Sequence, residues 1–309
     1  MLRKAQRAAV VKAMQASVAS NQDIRNETNR FNLISCPGYA ELLDEMITLN
    51  TDRKETAFVI GDAPLRLAPD SSSTQAWASN SGNATENGED GLVSKYAYSA
   101  VYYPHGVSTN LDGSSIVIPS SSIALRTFAY NDQVAFPWFA PAGFNRGGLS
   151  DGAAGIPVTN VSQKLTSKER DKLYESNINP IASFPSSGIV VFGQKTLQAD
   201  RSALDRINVR RMLIYVKQGL SQISSNFLFE PNVQDTWNRF LSEANPFLLD
   251  VQQQFGIDEY RLILGENTTT PDLIDQNILY AKLFIKPTRA IEFIAVDFFI
   301  TNSGASFED

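Results

Sequence analysis

The chain has 309 residues, 43% of them hydrophobic and 19% charged, enough for cores of ordinary globular size. Thirty-three acidic and 27 basic residues give a net charge of −6 with no long run of either sign, so the basic face of a nucleic-acid binder is missing. One cysteine, Cys36, and one histidine, His105, exclude an internal disulfide and a Cys/His metal centre.

The N-terminus lacks a secretory h-region, because its longest apolar stretch, Ala8 to Val11, is cut by Lys12. No stretch approaches the roughly 20 apolar residues of a membrane span, so no membrane insertion is expected. Leu2 to Ser20 reads as a helix rich in Ala, Met and Lys. Arg30 to Ser35 reads as a short strand closed by Cys36-Pro37-Gly38. Leu42, Leu43, Met46 and Ile47 share one face of a helix over Tyr39 to Leu49, and Thr56 to Ile60 is a second buried strand. Strand, helix and strand with short links make a βαβ unit, which implies a parallel sheet.

Pro69 to Gly91 is rich in Ser, Asn and Gly and reads as a surface insertion with one helical turn near Gln75 to Ser79. Ala97 to Tyr103 is a third strand, Ser115 to Ile118 a short extended piece, and Ser120 to Ser122 cap a helix from Ile123 to about Asn131. Proline and glycine crowd Pro137 to Pro157, which reads as a linker, with a domain boundary near Asn160. Thr166-Ser167-Lys168-Glu169 is a capping box opening a helix to about Ser176. Gly188 to Phe192 is a strand; Asn208 to Ser221 is a helix with Val209, Met212, Leu213, Val216 and Leu220 on one face. Asn232 caps a further helix reaching Phe255 past Pro246. Tyr260 to Leu264, Ile278 to Lys286 and Ile291 to Thr301 are strands. The expected fold is mixed α/β in two domains, 1–160 and 161–309, each a mixed sheet with flanking helices.

Gly148-Leu149-Ser150-Asp151-Gly152 fits the G-x-S-x-G of an α/β hydrolase, but no strand precedes it and the only histidine lies upstream, so a Gly-rich linker explains it more simply. His105, in Tyr-Pro-His-Gly at a strand end, reads as a turn residue, since no second His or Cys and no evident carboxylate joins it. Cys36 reads as a small buried filler and Asp44 and Glu45 as solvent-facing. Gly61-Asp62-Ala63-Pro64 lacks the lysine and spacing of a phosphate loop. No catalytic residue, metal or cofactor is expected.

Several segments, in order along the chain, resemble the contractile tail sheath proteins of T4-like phages and related injection machines. Phe31-Asn-Leu-Ile34, Pro37-Gly38-Tyr39, Asp52-Arg53-Lys54-Glu55 and Tyr102-Tyr103-Pro104 resemble the middle sheath domain. Leu165 to Tyr174, Asn177 to Ile181, Gly188 to Gly193, Ile207 to Arg211, Thr270 to Asp275 and Pro287 to Ile294 resemble the inner, C-terminal domain. Family members carry a longer N-terminal region, so the chain is expected to be a fragment or a short form. The resemblance implies a structural subunit that polymerises as stacked hexameric rings around a tail tube protein, capped by baseplate and tail terminator proteins. It also implies contraction that drives the tube through the host envelope, and a place in the phage tail after assembly in the host cytoplasm. A monomeric phage binding module is the other non-enzymatic reading.

Ile291, Phe293, Ala295, Asp297 and Phe299 alternate with Glu292, Ile294, Val296, Phe298 and Ile300, so both faces of the terminal strand are largely apolar. That suits either an inner strand of the chain's own sheet or strand addition to a neighbour, and the resemblance favours exchange. Arg289 belongs to the same segment. Arg210 and Arg211 are consecutive on a helix and do not share a face; one is expected to pair with a carboxylate and the other to face outward, as plain surface charges or as a subunit contact. Asp235, Arg239, Glu243 and Asp250 form a candidate tube-facing row.

Overall fold

Two-sided apolar strands dictate a sheet covered by helices on both faces, and the computed structural model, which describes residues 2–68, 70–149 and 158–292, has that arrangement. The element order begins with α1 (Leu2–Ser20), β1 (Leu33–Ser35), α2 (Leu43–Asp52), β2 (Phe58–Asp62), α3 (Ser71–Ala78) and β3 (Ser99–Tyr103). It continues through β4 (Gly106–Thr109), β5 (Ser115–Ile118), α4 (Ser120–Val134), a single turn α5 (Gly143–Arg146), β6 (Asn160–Val161) and α6 (Ser167–Glu175). The remainder is β7 (Ile178–Phe184), β8 (Gly188–Val191), α7 (Ile207–Ser225), α8 (Gln234–Gln253), β9 (Ile257–Ile263), α9 (Pro271–Asp275) and β10 (Lys282–Pro287).

The main sheet has the order β1-β2-β3-β7-β8. Its first four strands are parallel and β8 runs antiparallel to β7. Along β2 and β3 the side chains alternate between two cores. Phe58, Ile60, Ala100 and Tyr102 pack with Ile123 and Phe128 of α4 and Ile207 and Ile214 of α7. Val59, Val101 and Tyr103 pack with Leu43, Met46 and Leu49 of α2, Trp77 of α3 and Leu173 of α6. Period-two alternation with both sets apolar is what a doubly covered parallel sheet requires.

Three strands of this sheet precede residue 160 and two follow it. The boundary expected near Asn160 therefore does not separate two sheets: Val101, Tyr102 and Tyr103 pair directly with Ile178, Asn179 and Pro180. Asn179, fully buried, ties three segments together, donating to Val101 O (3.3 Å) and Lys195 O (2.7 Å) and accepting from Lys195 N (2.7 Å). Gly193 lies so close that a Cβ there would meet Asn179 Oδ1 at 2.8 Å and its Cα at 3.0 Å, which explains the glycine closing Gly188–Gly193. A three-stranded sheet, β5-β4-β6, flanks the main one.

The C-terminal layer is built by α7, α8 and an antiparallel pair, β9 and β10. Val209, Met212 and Val216 of α7 meet Leu248 and Val251 of α8, Ile257 and Trp138, with Leu213 and Leu220 partly buried alongside, as their spacing predicts. Pro246 sits within α8 on its exposed side. Val233, not Asn232, is the N-cap of α8; Asn232 instead accepts from Trp237 Nε1 at 2.7 Å. The capping box at Thr166 is present in both directions. Arg53 donates to Ile24 O, Asn26 O and Asn29 O (2.7 to 2.9 Å) and lies over Phe31, fastening the loop after α1.

Candidate assembly interface

β9 and β10 form a two-stranded sheet, and neither has a second strand neighbour among the described residues. Its inner face, Tyr260, Leu262, Leu283 and Ile285, packs on α7 and α8. Its outer face carries Glu259, Arg261, Lys282 and Lys286, with Phe284 57% exposed among them. A bare antiparallel pair is marginal on its own, and each open edge offers a row of unpaired backbone groups.

Residues 288–292, which follow β10, are not in a strand. Arg289 and Ile291 are exposed, Ile291 to 83%. Glu292 turns back onto the main body, where Arg206 Nε and Nη2 donate to its two oxygens at 2.5 and 2.9 Å. Tyr174 OH (3.0 Å) and Gln194 Nε2 (3.1 Å) complete its partners. Burial, reinforced by the Glu292 charge, raises the Tyr174 phenol above its ordinary value. Burial, together with the positive charges of Arg206 and Arg201, lowers the Lys195 amine. Phe293, Ala295, Asp297 and Phe299, and the expected strand they belong to, lie outside the described residues, as does Ser150.

The row Asp235, Arg239, Glu243 and Asp250 lies on the exposed side of α8, opposite Trp237, Phe240, Ala244, Leu248 and Val251. Arg239 pairs loosely with Glu230 at 3.5 Å. Leu249, 45% exposed, lies next to Asp250 on the same side.

Arg210 and Arg211 are 8% and 2% exposed, which corrects the expectation that one of them faces outward. Arg211 reaches one side of α7 to bond Asp132 through both terminal nitrogens (2.8 and 2.5 Å), over the Phe128 ring. Arg210 reaches the other side, donating to Leu204 O (2.8 Å) and Gln198 Oε1 (2.6 Å) over the Tyr98 ring. Both guanidinium groups are consumed inside the fold because α7 is covered on more than its apolar stripe.

His105 is 2% exposed and has a nearby carboxylate that its sequence surroundings do not reveal. Ser120 N donates to its Nδ1 at 3.1 Å, and Ser120 Oγ donates to Asp62 at 2.8 Å. Asp62 also accepts from Ser121 N (2.6 Å), Ser121 Oγ (2.7 Å) and Gly38 N (2.7 Å). Burial lowers the imidazole pKa, against the opposing pull of Asp62. Although it assembles Ser, His and Asp, this cluster is sealed: Ser120 and Ser121 are fully buried, and the carboxylate is saturated by donors that fix the start of α4. Cys36 is half-buried nearby, its thiol raised by burial and by the Asp62 and Glu41 charges. Asp44 and Glu45 are half-buried rather than solvent-facing, and burial raises both carboxyls.

Among known proteins, residues 199–301 match the family described as the phage tail sheath C-terminal domain. A protein named tail sheath protein from Vibrio phage KVP40 is 36% identical over 181 residues, covering 59% of this chain and 26% of that protein. The tail sheath protein of Enterobacteria phage T4 is 34% identical over 181 residues, covering 59% and 27%. The aligned region thus spans about a quarter of the length of these tail sheath proteins. The fold is shared with the contracted helical sheath of the anti-feeding prophage, at a TM-score of 0.72 and 24% identity over 91% of this chain and 73% of that one. It is shared equally with the contracted sheath complex of the PVC extracellular contractile injection system, at a TM-score of 0.71 and 23% identity over 91% and 74%.

Proposed function

We propose that the chain is a structural subunit of a contractile tail sheath, polymerising as stacked hexameric rings around a tail tube and contracting to drive that tube through the host envelope. The observation that carries this reading is the open two-stranded sheet of β9 and β10, adjoined by a C-terminal segment that leaves β10 after Pro287. A marginal sheet with open edges is completed by strands from neighbours, and strand addition links subunits through backbone bonds that survive changes in side-chain packing. Such links let one lattice hold two packings of the same subunits, with the contracted set lower in free energy and no nucleotide consumed. Baseplate and tail terminator proteins bound the polymer, which assembles in the host cytoplasm and ends in the phage tail. The charged face of α8 is the tube-facing surface.

Deletion of residues 288–309 tests this. Soluble, folded subunits that form neither rings nor tubes in negative-stain electron microscopy are expected, whereas the full chain forms them; normal polymers of the truncated chain would refute strand exchange. Reversing the charges of Asp235, Arg239, Glu243 and Asp250 is expected to abolish tube-protein capture in a pull-down, and unchanged capture removes the tube assignment.

A further inference from the structure

The Glu292 carboxylate, beyond the end of β10, is held from several sides. Four donors from three segments converge on it: Arg206 twice, Tyr174 at the end of α6, and Gln194 after β8. Arg206 is itself held by Asp205 at 2.9 Å and is the N-cap of α7, whose first turn is favourable ground for a negative charge. The preceding stretch is held much less: Thr288 N reaches Gly256 O at 3.4 Å, and Ile291 is 83% exposed. The chain therefore leaves β10 and crosses an exposed stretch. It is then fixed at one point on the main body.

We infer that Glu292 is the positioning residue of the inter-subunit strand. This rests on the strand-exchange reading above and adds to it the place at which the C-terminal segment is held. With Glu292 bound, residues 288–292 are held at the N-terminus of α7 as well as at β10. Without it, they are attached only at Pro287, at the end of a two-stranded sheet. Two consequences follow. The ordering of residues 288–292 is completed in the free subunit instead of on assembly, which favours docking. A pull on the segment is also delivered to the main sheet through Arg206, Tyr174 and Gln194, and does not peel β10 from β9.

The test compares the full chain with Glu292→Gln and with the double variant Arg206→Met/Glu292→Gln. The single variant leaves Arg206 with Asp205 alone; the double variant removes that pair as well, so the anchor is absent from both while their thermal stabilities differ. Thermal midpoints, hydrogen exchange of residues 282–292 in the free subunit and the critical concentration for polymerisation by sedimentation are measured, all at a temperature where each variant is folded by circular dichroism. Both variants are expected to lose protection over residues 288–292 and to raise the critical concentration at least about ten-fold, because the freed residues must be ordered on docking. A critical concentration that follows the thermal midpoint across the two variants, or a Glu292→Gln chain that polymerises like the unaltered one, overturns the inference. Failure of the unaltered chain to polymerise refutes the sheath reading itself and the inference with it, a pattern distinct from failure of the variants alone.

Discussion

Replacing Asp62 distinguishes a structural carboxylate from a catalytic one. Its side chain accepts from Gly38 N, Ser120 Oγ, Ser121 N and Ser121 Oγ, all within 2.8 Å, and the residue is 4% exposed. In Asp62→Ala the Ser120 hydroxyl keeps a second acceptor, Tyr102 O at 2.8 Å, but the Ser121 N–H, the Ser121 hydroxyl and the Gly38 N–H are left without one. At about 1–3 kcal/mol for each buried orphan donor, and less for Gly38, which is only partly buried, the loss comes to about 3–6 kcal/mol. That is a large share of the roughly 5–15 kcal/mol available to a folded domain. Asp62→Asn keeps one oxygen and lets the Ser121 hydroxyl turn round to accept, so one N–H is orphaned and about half the loss is expected. Urea denaturation followed by circular dichroism reads this as a lower midpoint at constant slope, with Ala below Asn below the unaltered chain. Midpoints for both variants within about 1 kcal/mol of the unaltered chain would refute the structural assignment of the cluster.

Arg211→Met removes two charge-assisted bonds to Asp132 and the stack on Phe128; because Asp132 is partly exposed and rehydrates, a loss of about 2–4 kcal/mol in urea is expected. If Arg211 were a subunit contact, the same change would instead leave subunit stability intact and weaken polymerisation. Burial holds the His105 pKa below its ordinary value of about 6.5, so the unfolded chain takes up a proton that the folded chain refuses. Stability is therefore full above about pH 6.5 and falls as pH drops below it, with a limiting slope of about 1.4 kcal/mol per pH unit. A series of urea midpoints from pH 8 to 5 is expected to show this fall, and its persistence undiminished in His105→Gln would assign it to other groups.

Several features were legible in the sequence because short-range chemistry sets them. The capping box of Thr166 and Glu169 needs only residues three apart, and the Val209, Met212, Val216 stripe of α7 needs only the helical period. The strands β2 and β3 announced themselves by apolar runs bounded by turn residues. The segments resembling sheath proteins largely prove to be packing devices: Arg53 over Phe31, Asn179 against Lys195, Gly193 against Asn179.

What the tertiary structure decided are the relations between distant segments. Residue spacing does not say that β7 lies beside β3, so a proline- and glycine-rich stretch looked like a boundary where one sheet in fact continues. Consecutive arginines on a helix suggested one buried and one free side chain, yet α7 is enclosed widely enough that each finds its own internal partner, Asp132 for one and Gln198 for the other. Asp62 and His105 meet through Ser120 only because two parallel strands end side by side at the start of α4. Glu292 read as one polar position in an apolar strand; its meeting with Arg206, 86 residues away, depends on the C-terminal pair folding back over the main body. Local propensity is fixed by neighbours along the chain, whereas charge pairing and open sheet edges depend on which surfaces burial has already consumed.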